Sequence, residues 1–198
     1  MLQSNKTINS SFEFLNSIGD IPEDLFKELE NISEFKRVEA GTQIVKLNEV
    51  PTKVYLLLSG VIRCYLSTES GKEYNKSFYF PTSFMGALTA LVKKQPSRFV
   101  FESISECELY EVDYLQLMEL YKKNTTLKVF YSRVLEMVYM QYEKRLVDLI
   151  SLDATQRYLE LRKQNPNIDR LISQYHIASY LGITPVQLSR IRKKIGTN

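Results

Sequence analysis

Apolar residues change their spacing along this 198-residue chain, and each spacing predicts a different kind of element. Over residues 1–35 they cluster at helical intervals. Phe12, Phe14 and Leu15 mark one segment, and Leu25, Phe26 and Leu29 mark another that Pro22 starts. Over 35–112 the apolar runs shorten, at 53–58, 61–66, 74–80, 99–103 and 108–112. Ser59-Gly60 separates two of them, and Glu69-Ser70-Gly71-Lys72 separates another pair. Short strands with turn signals at intervals of about ten residues predict an antiparallel sandwich or barrel.

Beyond Asp113 the helical period returns and lengthens. Leu127, Tyr131, Val134, Val138, Tyr142, Leu146 and Leu149 fall three or four residues apart, with no glycine or proline between them. Phe130, Leu135 and Met137 widen the stripe, so the helix predicted over 124–150 is apolar on more than one side. The β-part covers one side. The economical cover for the other is the same helix of a second copy. Leu127, Tyr131, Val134, Val138 and Leu146 are the expected seam of this homodimer.

A short helix over 154–163 stops at Asn165-Pro166-Asn167, and the run from Gln174 to Lys193 reads as a helix-turn-helix. Ala178 is small where two helices must approach, and Gly182 supplies the positive φ of a tight turn. Thr184 suits the cap of a second helix and Pro185 its first turn. Leu188 and Ile191 are spaced to pack on Ile177, Ala178 and Leu181. The opposite side keeps Gln187, Ser189, Arg190, Lys193 and Lys194. A helix crossed on another, with a polar and basic outer face, fits a major groove of double-stranded DNA.

Charge supports that division of labour. The net charge of +3 averages two unlike parts: 8 basic against 3 acidic residues from Ile150 onward, and 18 against 20 before it. A basic end on a slightly acidic body suggests that the end meets a polyanion. Cys64 and Cys107 sit in apolar strand-like runs and are expected as buried thiols. With His176 as the one histidine, neither a metal site nor a catalytic constellation is recoverable, so the chain is expected not to be an enzyme. No uninterrupted apolar segment suits a membrane span and no signal pattern opens the chain, so a cytoplasmic location is expected.

The order of β-part, long helix and reading head resembles the Crp/Fnr family of bacterial regulators, over nearly the whole chain. Carrying the resemblance are Glu39-Ala-Gly-Thr-Gln-Ile44, Val54-Tyr-Leu-Leu-Leu-Ser-Gly-Val-Ile62, Gly71-Lys-Glu73 and Ser83-Phe-Met-Gly86 in the β-part. Leu152-Asp153-Ala154-Thr155 looks like the family's hinge and Leu188-Ser-Arg-Ile191 like its recognition helix. The fold class implied is α+β, an antiparallel jelly-roll like the cyclic-nucleotide-binding β-roll, then a dimerisation helix and a helix-turn-helix. The corresponding units are 1–123, 124–150 and 151–198. Implied partners are double-stranded DNA with a palindromic operator, a second copy of the chain and RNA polymerase.

By the same resemblance Arg190 reads a guanine edge, Pro185 and Val186 stand where base contacts are made, and Ser173, Tyr175, Thr184 and Gln187 meet phosphates. Ser189 and Lys193 flank Arg190 on the exposed face, and His176 is expected at the surface near phosphate. Against that resemblance the family's wing hairpin is trimmed, with only residues 168–173 in its place. The effector pocket departs further. Where the family has a ribose-binding glutamate this chain has Gly86-Ala87-Leu88, and Arg98 in Ser97-Arg98-Phe99 is one place out of register. Tyr142 falls where the family contacts adenine. No control by cyclic nucleotide through the usual pocket is expected. Two readings stay open, an unknown small-molecule effector or a pocket filled by its own side chains. A nucleotide- or small-molecule-sensing module acting through protein–protein contacts is the alternative to a DNA reader.

Overall fold

The computed structural model describes residues 11–196. The part of the predicted N-terminal helical stretch that precedes residue 11 lies outside them. Two helices, α1 (residues 11–18) and α2 (Glu23–Asn31), lead into the β-part. Its strands are β1 (Ser33–Val38), β2 (Gln43–Val45), β3 (Lys53–Ser59), β4 (Ile62–Ser67), β5 (Glu73–Tyr79), β6 (Ser83–Met85), β7 (Val100–Ser103) and β8 (Cys107–Asp113). They form two antiparallel four-stranded sheets, ordered β1-β8-β3-β6 and β2-β7-β4-β5. A short helix, α3 (Leu88–Lys93), bridges β6 and β7 and had no distinct apolar period to announce it.

The core fills the space between the sheets. Leu57, Ile62, Cys64, Phe101, Cys107 and Leu109 are buried there together. Burial pushes the Cys64 thiol up to about 12 and raises that of Cys107, so both are inert packing groups. Between β3 and β4 the chain reverses at Gly60, with φ of 85°. A Cβ there would lie 2.3 Å from the Glu106 carbonyl oxygen, so only glycine fits.

One irregularity breaks the alternation of β5. Cys64 pairs with Ser77 but Tyr65 pairs with Asn75, which leaves Lys76 as the extra residue of a β-bulge. The bulge puts Asn75 and Phe78 on one side of the strand and Lys76 and Tyr79 on the other. Strict alternation would separate each pair.

After β8 come α4 (Tyr114–Lys123) and α5 (Thr125–Ser151). Asp113 caps α4 by accepting from the Leu115 and Gln116 amides, and Asn124 caps α5 at the Leu127 amide. The expected dimer seam needs correction along α5. Leu127 is buried against its own chain, with Phe130, among Leu15, Ile21, Leu25 and Leu56. Tyr131 stacks edge-on with Tyr121, Val134 packs on the same cluster, and part-buried Val138 lines a cleft of the β-roll. Of that set Leu146 alone is exposed, in company with Tyr139, Met140, Val147 and Ile150. The first half of α5 must cover α1, α2 and the β1-β8-β3-β6 sheet, and helical spacing cannot say which stripe does so.

The chain ends in α6 (Ala154–Gln164), α7 (Ile168–Leu171), α8 (Gln174–Leu181) and α9 (Pro185–Gly196). Asp153 and Gln156 form a capping box at the start of α6. Residues 168–171, where a wing hairpin had little room, are helical. No described helix is long and apolar enough to cross a membrane.

Candidate nucleic-acid interface and sensory cleft

The helix-turn-helix is pinned at every turn by its own sequence. Ser173 caps α8, its hydroxyl accepting from the His176 amide. Gly182 ends α8 with φ of 71°, and the Ile183 amide closes the turn on the Ala178 carbonyl at 3.0 Å. Thr184 and Gln187 then form a reciprocal capping pair at the start of α9. Leu188 is fully buried against Ile177, Ala178 and Leu181, with Ile191 part-buried beside it. Gln174 Nε2 donates to the Pro185 carbonyl at 2.7 Å and fixes the crossing of the two helices.

With the rear of α9 so held, its front presents Pro185, Val186, Gln187, Ser189, Arg190 and Lys193, all exposed. Ser173, Tyr175 and Thr184 are exposed on the same motif. Arg192 is turned the other way. It pairs with Asp169, donates to the Tyr158 hydroxyl at 3.1 Å and to Gln174 Oε1 at 3.3 Å. Its positive charge braces α9 on α6, α7 and α8. Two arginines two residues apart on one helix therefore do opposite work, which follows from their separation of about 200° around the axis.

The helix-turn-helix is docked on the β-roll of its own chain, and His176 is part of the joint. The expectation of a surface histidine near phosphate is corrected here. Arg63 on β4 is buried, paired with Glu73 and with Glu102 at 2.9 Å, and lies 3.9 Å over the Tyr65 ring. Its guanidinium stands 3.3 Å from His176 Nδ1. A guanidinium only donates, so Nδ1 is the acceptor and the ring proton sits on Nε2. Burial and then the Arg63 charge lower the pKa of His176 below its ordinary 6.5. Asn75 Nδ2 donates to the His176 carbonyl at 3.3 Å. The Ser179 hydroxyl accepts from the Asn75 amide at 2.9 Å and donates to the Glu73 carbonyl at 3.0 Å, so α8 closes the free edge of β5.

Packing completes the joint. Phe78 faces Tyr180 with ring centroids 5.1 Å apart, and Val61, Phe80 and Ile104 join the helical core around Tyr158 and Leu161. From α5, Arg145 lies 3.5 Å over the Tyr180 ring and donates to its carbonyl at 2.8 Å. Arg157 reaches the Leu181 carbonyl at 3.1 Å. Sequence spacing gave no sign of these contacts, because their partners lie far away along the chain.

On the far side of β5 a cleft of about 1150 Å³ opens between the β-roll and α5. Gly86, Ala87, Leu88, Ser97, Arg98 and Tyr142 all line it, so the fold brings the expected effector residues together. Their chemistry is poor for a sugar phosphate. The Ser97 hydroxyl is spent within its own loop, donating to the Phe99 carbonyl at 2.8 Å and accepting from the Phe99 amide. Arg98 is exposed, and Ala87 offers no side-chain acceptor. Sequence reasoning missed Lys76, whose ammonium lies 4.5 Å from the Phe99 ring and 4.6 Å from that of Tyr142. The bulge that points it there leaves no mark in residue spacing.

Comparisons with known proteins fall in line with this geometry. Residues 35–124 match the cyclic nucleotide-binding domain family. The anaerobic regulatory protein of Aggregatibacter actinomycetemcomitans is 27% identical over an alignment covering 83% of this chain and 68% of that protein. Among solved structures, FixK2 of Bradyrhizobium japonicum superposes with a TM-score of 0.69 at 18% identity, covering 84% of this chain and 85% of its own. The c-di-GMP responsive global regulator CLP of Xanthomonas campestris gives 0.67 at 16%, covering 89% and 92%. At such identities the structural likeness speaks for the fold.

Proposed function

We propose that this chain, whose architecture is that of the Crp/Fnr regulators, is a sequence-specific DNA-binding transcription regulator that acts as a cytoplasmic homodimer on a palindromic operator. Residues 1–123 serve as the sensory unit, 124–150 as the dimerisation helix and 151–198 as the reading head. The observation that carries the reading is α9. Its apolar rear and Arg192 are locked into the domain, while Arg190 and its neighbours stand exposed on one face. In the major groove Arg190 would donate twice to guanine, Pro185 and Val186 would meet thymine methyl groups, and Lys193 would lie by the backbone. Ser173, Tyr175, Thr184 and Gln187 are the phosphate-side contacts of this reading. The exposed second half of α5, around Leu146, supplies the seam to a second copy, which sets two heads about one helical turn apart. RNA polymerase is the partner such a dimer would engage. Ala87, which offers no side-chain acceptor, and the exposure of Arg98 argue against control by cyclic nucleotide.

The test is selection of bound fragments from genomic DNA, followed by gel shifts on the selected site. Arg190→Ala is expected to weaken specific binding by about 1–3 kcal/mol while sedimentation shows the dimer intact. Unchanged affinity would remove Arg190 as the reader, and failure to enrich any fragment would remove the regulator reading.

A further inference from the structure

We infer that the aromatic end of the cleft, framed by Lys76, Tyr79, Phe99 and Tyr142, takes a small aromatic monoanion with the Lys76 ammonium as its charge partner. This rests on the reading of the β-roll as a sensory unit and names the ligand class of that unit. Lys76 is the extra residue of the β5 bulge, so backbone geometry, and not side-chain chance, aims it into the cleft. Its ammonium sits between the Phe99 and Tyr142 rings, and among the described residues it forms no ion pair. The buried cation on β4 in the neighbouring joint, by contrast, is matched. Arg63, one strand away, has two carboxylates.

The surroundings define the rest of the ligand. Tyr79 stacks on Phe101 at 5.8 Å, and its hydroxyl lies 3.5 Å from that of Tyr142, which ties both rings to the Lys76 site. Met85, Ala87 and Leu88 extend the apolar lining. A carboxylate brought here would form a charge-assisted hydrogen bond with Lys76, and a flat ring would lie against Phe99 and Tyr142. A ribose phosphate would enter with its hydroxyls unmatched, because Ala87 cannot accept and Ser97 is already bonded. At the Phe99–Tyr142 end of the cleft, one cation between two rings favours one negative charge on a flat apolar body.

Calorimetry on the full chain tests this with acid–amide pairs, benzoate against benzamide and phenylacetate against phenylacetamide, and with cyclic AMP. At least one acid is expected to bind about tenfold or more tightly than its amide and than cyclic AMP, since the charge-assisted bond distinguishes them. Lys76→Met should reduce acid binding to the amide level, and Lys76→Arg should restore it. Equal binding of acid and amide, tighter binding of cyclic AMP, or no binding of either acid would overturn the proposal, and the acid–amide comparison needs no variant. The same wild-type preparation is run against the selected DNA. Acid binding without DNA binding would leave the ligand site and remove the regulator reading; DNA binding without acid binding would do the reverse.

Discussion

The two sides of β5 satisfy their polar groups in different ways. Toward the reading head, Asn75, Glu73 and neighbouring Arg63 meet His176 and Ser179 through direct hydrogen bonds and ion pairs, with Phe78 stacked on Tyr180. Toward the cleft, Lys76 has only aromatic faces for company. A side whose partner is part of the same chain is largely paired, with Asn75 Oδ1 left without a hydrogen-bond partner. A side that leaves one charge without a counter-charge is built to meet something from outside. The bulge at Lys76 makes the division possible by letting residues three apart share a face.

The contrast is broken most sharply at Arg63. Arg63→Met would leave Glu73 and Glu102 facing a buried joint without their cation, at an expected cost of about 3–5 kcal/mol in urea unfolding. A loss under about 1 kcal/mol would mean that water already screens the pair. Ser179→Ala removes the hydroxyl that bridges the β5 edge to α8, and about 1–2 kcal/mol should go with it. Amide hydrogen exchange at Asn75 is the local reading, and it should quicken in that variant before exchange in β3 does.

Acid provides a finer probe of the same joint. Docked against Arg63, with Glu73, Glu102 and Asn75 around it and Tyr175 against its ring, His176 has a lowered pKa. An undocked histidine takes its proton near the ordinary value of about 6.5, so docking weakens as pH falls below that value and is fully present above it. Proteolysis at the α5–α6 junction, residues 152–153, should therefore rise between about pH 7.5 and 5.5, and His176→Gln should flatten the profile. A rise that persists in His176→Gln would assign the effect elsewhere. The smallest effect belongs to the cleft side. Lys76→Met removes no ion pair, so stability should stay within about 0.5 kcal/mol of the wild type, and a large loss would show that the cation holds the fold.

Local chemistry explains why so much of the reading head was legible in advance. Gly182 for a left-handed turn, Thr184 with Gln187 for a cap, and Leu188 four residues from Thr184 are all short-range rules, and the helices obey them. The β-part declared β3, β4, β5, β7 and β8 through runs and turns, though not β1, β2 and β6, the order of its sheets or the helix at Leu88–Lys93. The long helix was visible, but the face it buries was not. Leu127 and Leu146 lie on the same periodic stripe, yet one is enclosed by α1 and α2 and the other is exposed.

By itself, then, the sequence determined what depends on neighbours within a few residues: most element types, and the turn, cap and packed rear of the helix-turn-helix. Tertiary structure alone decided which side each ambiguous residue serves. His176 became part of a joint because Arg63 and Asn75 are brought to it from more than a hundred positions away. Lys76 became a cleft residue because one unpaired position in β5 turns it inward. Side-chain direction in a strand flips with a single residue, and pairing register is a property of two strands, so no reading of one could have supplied it.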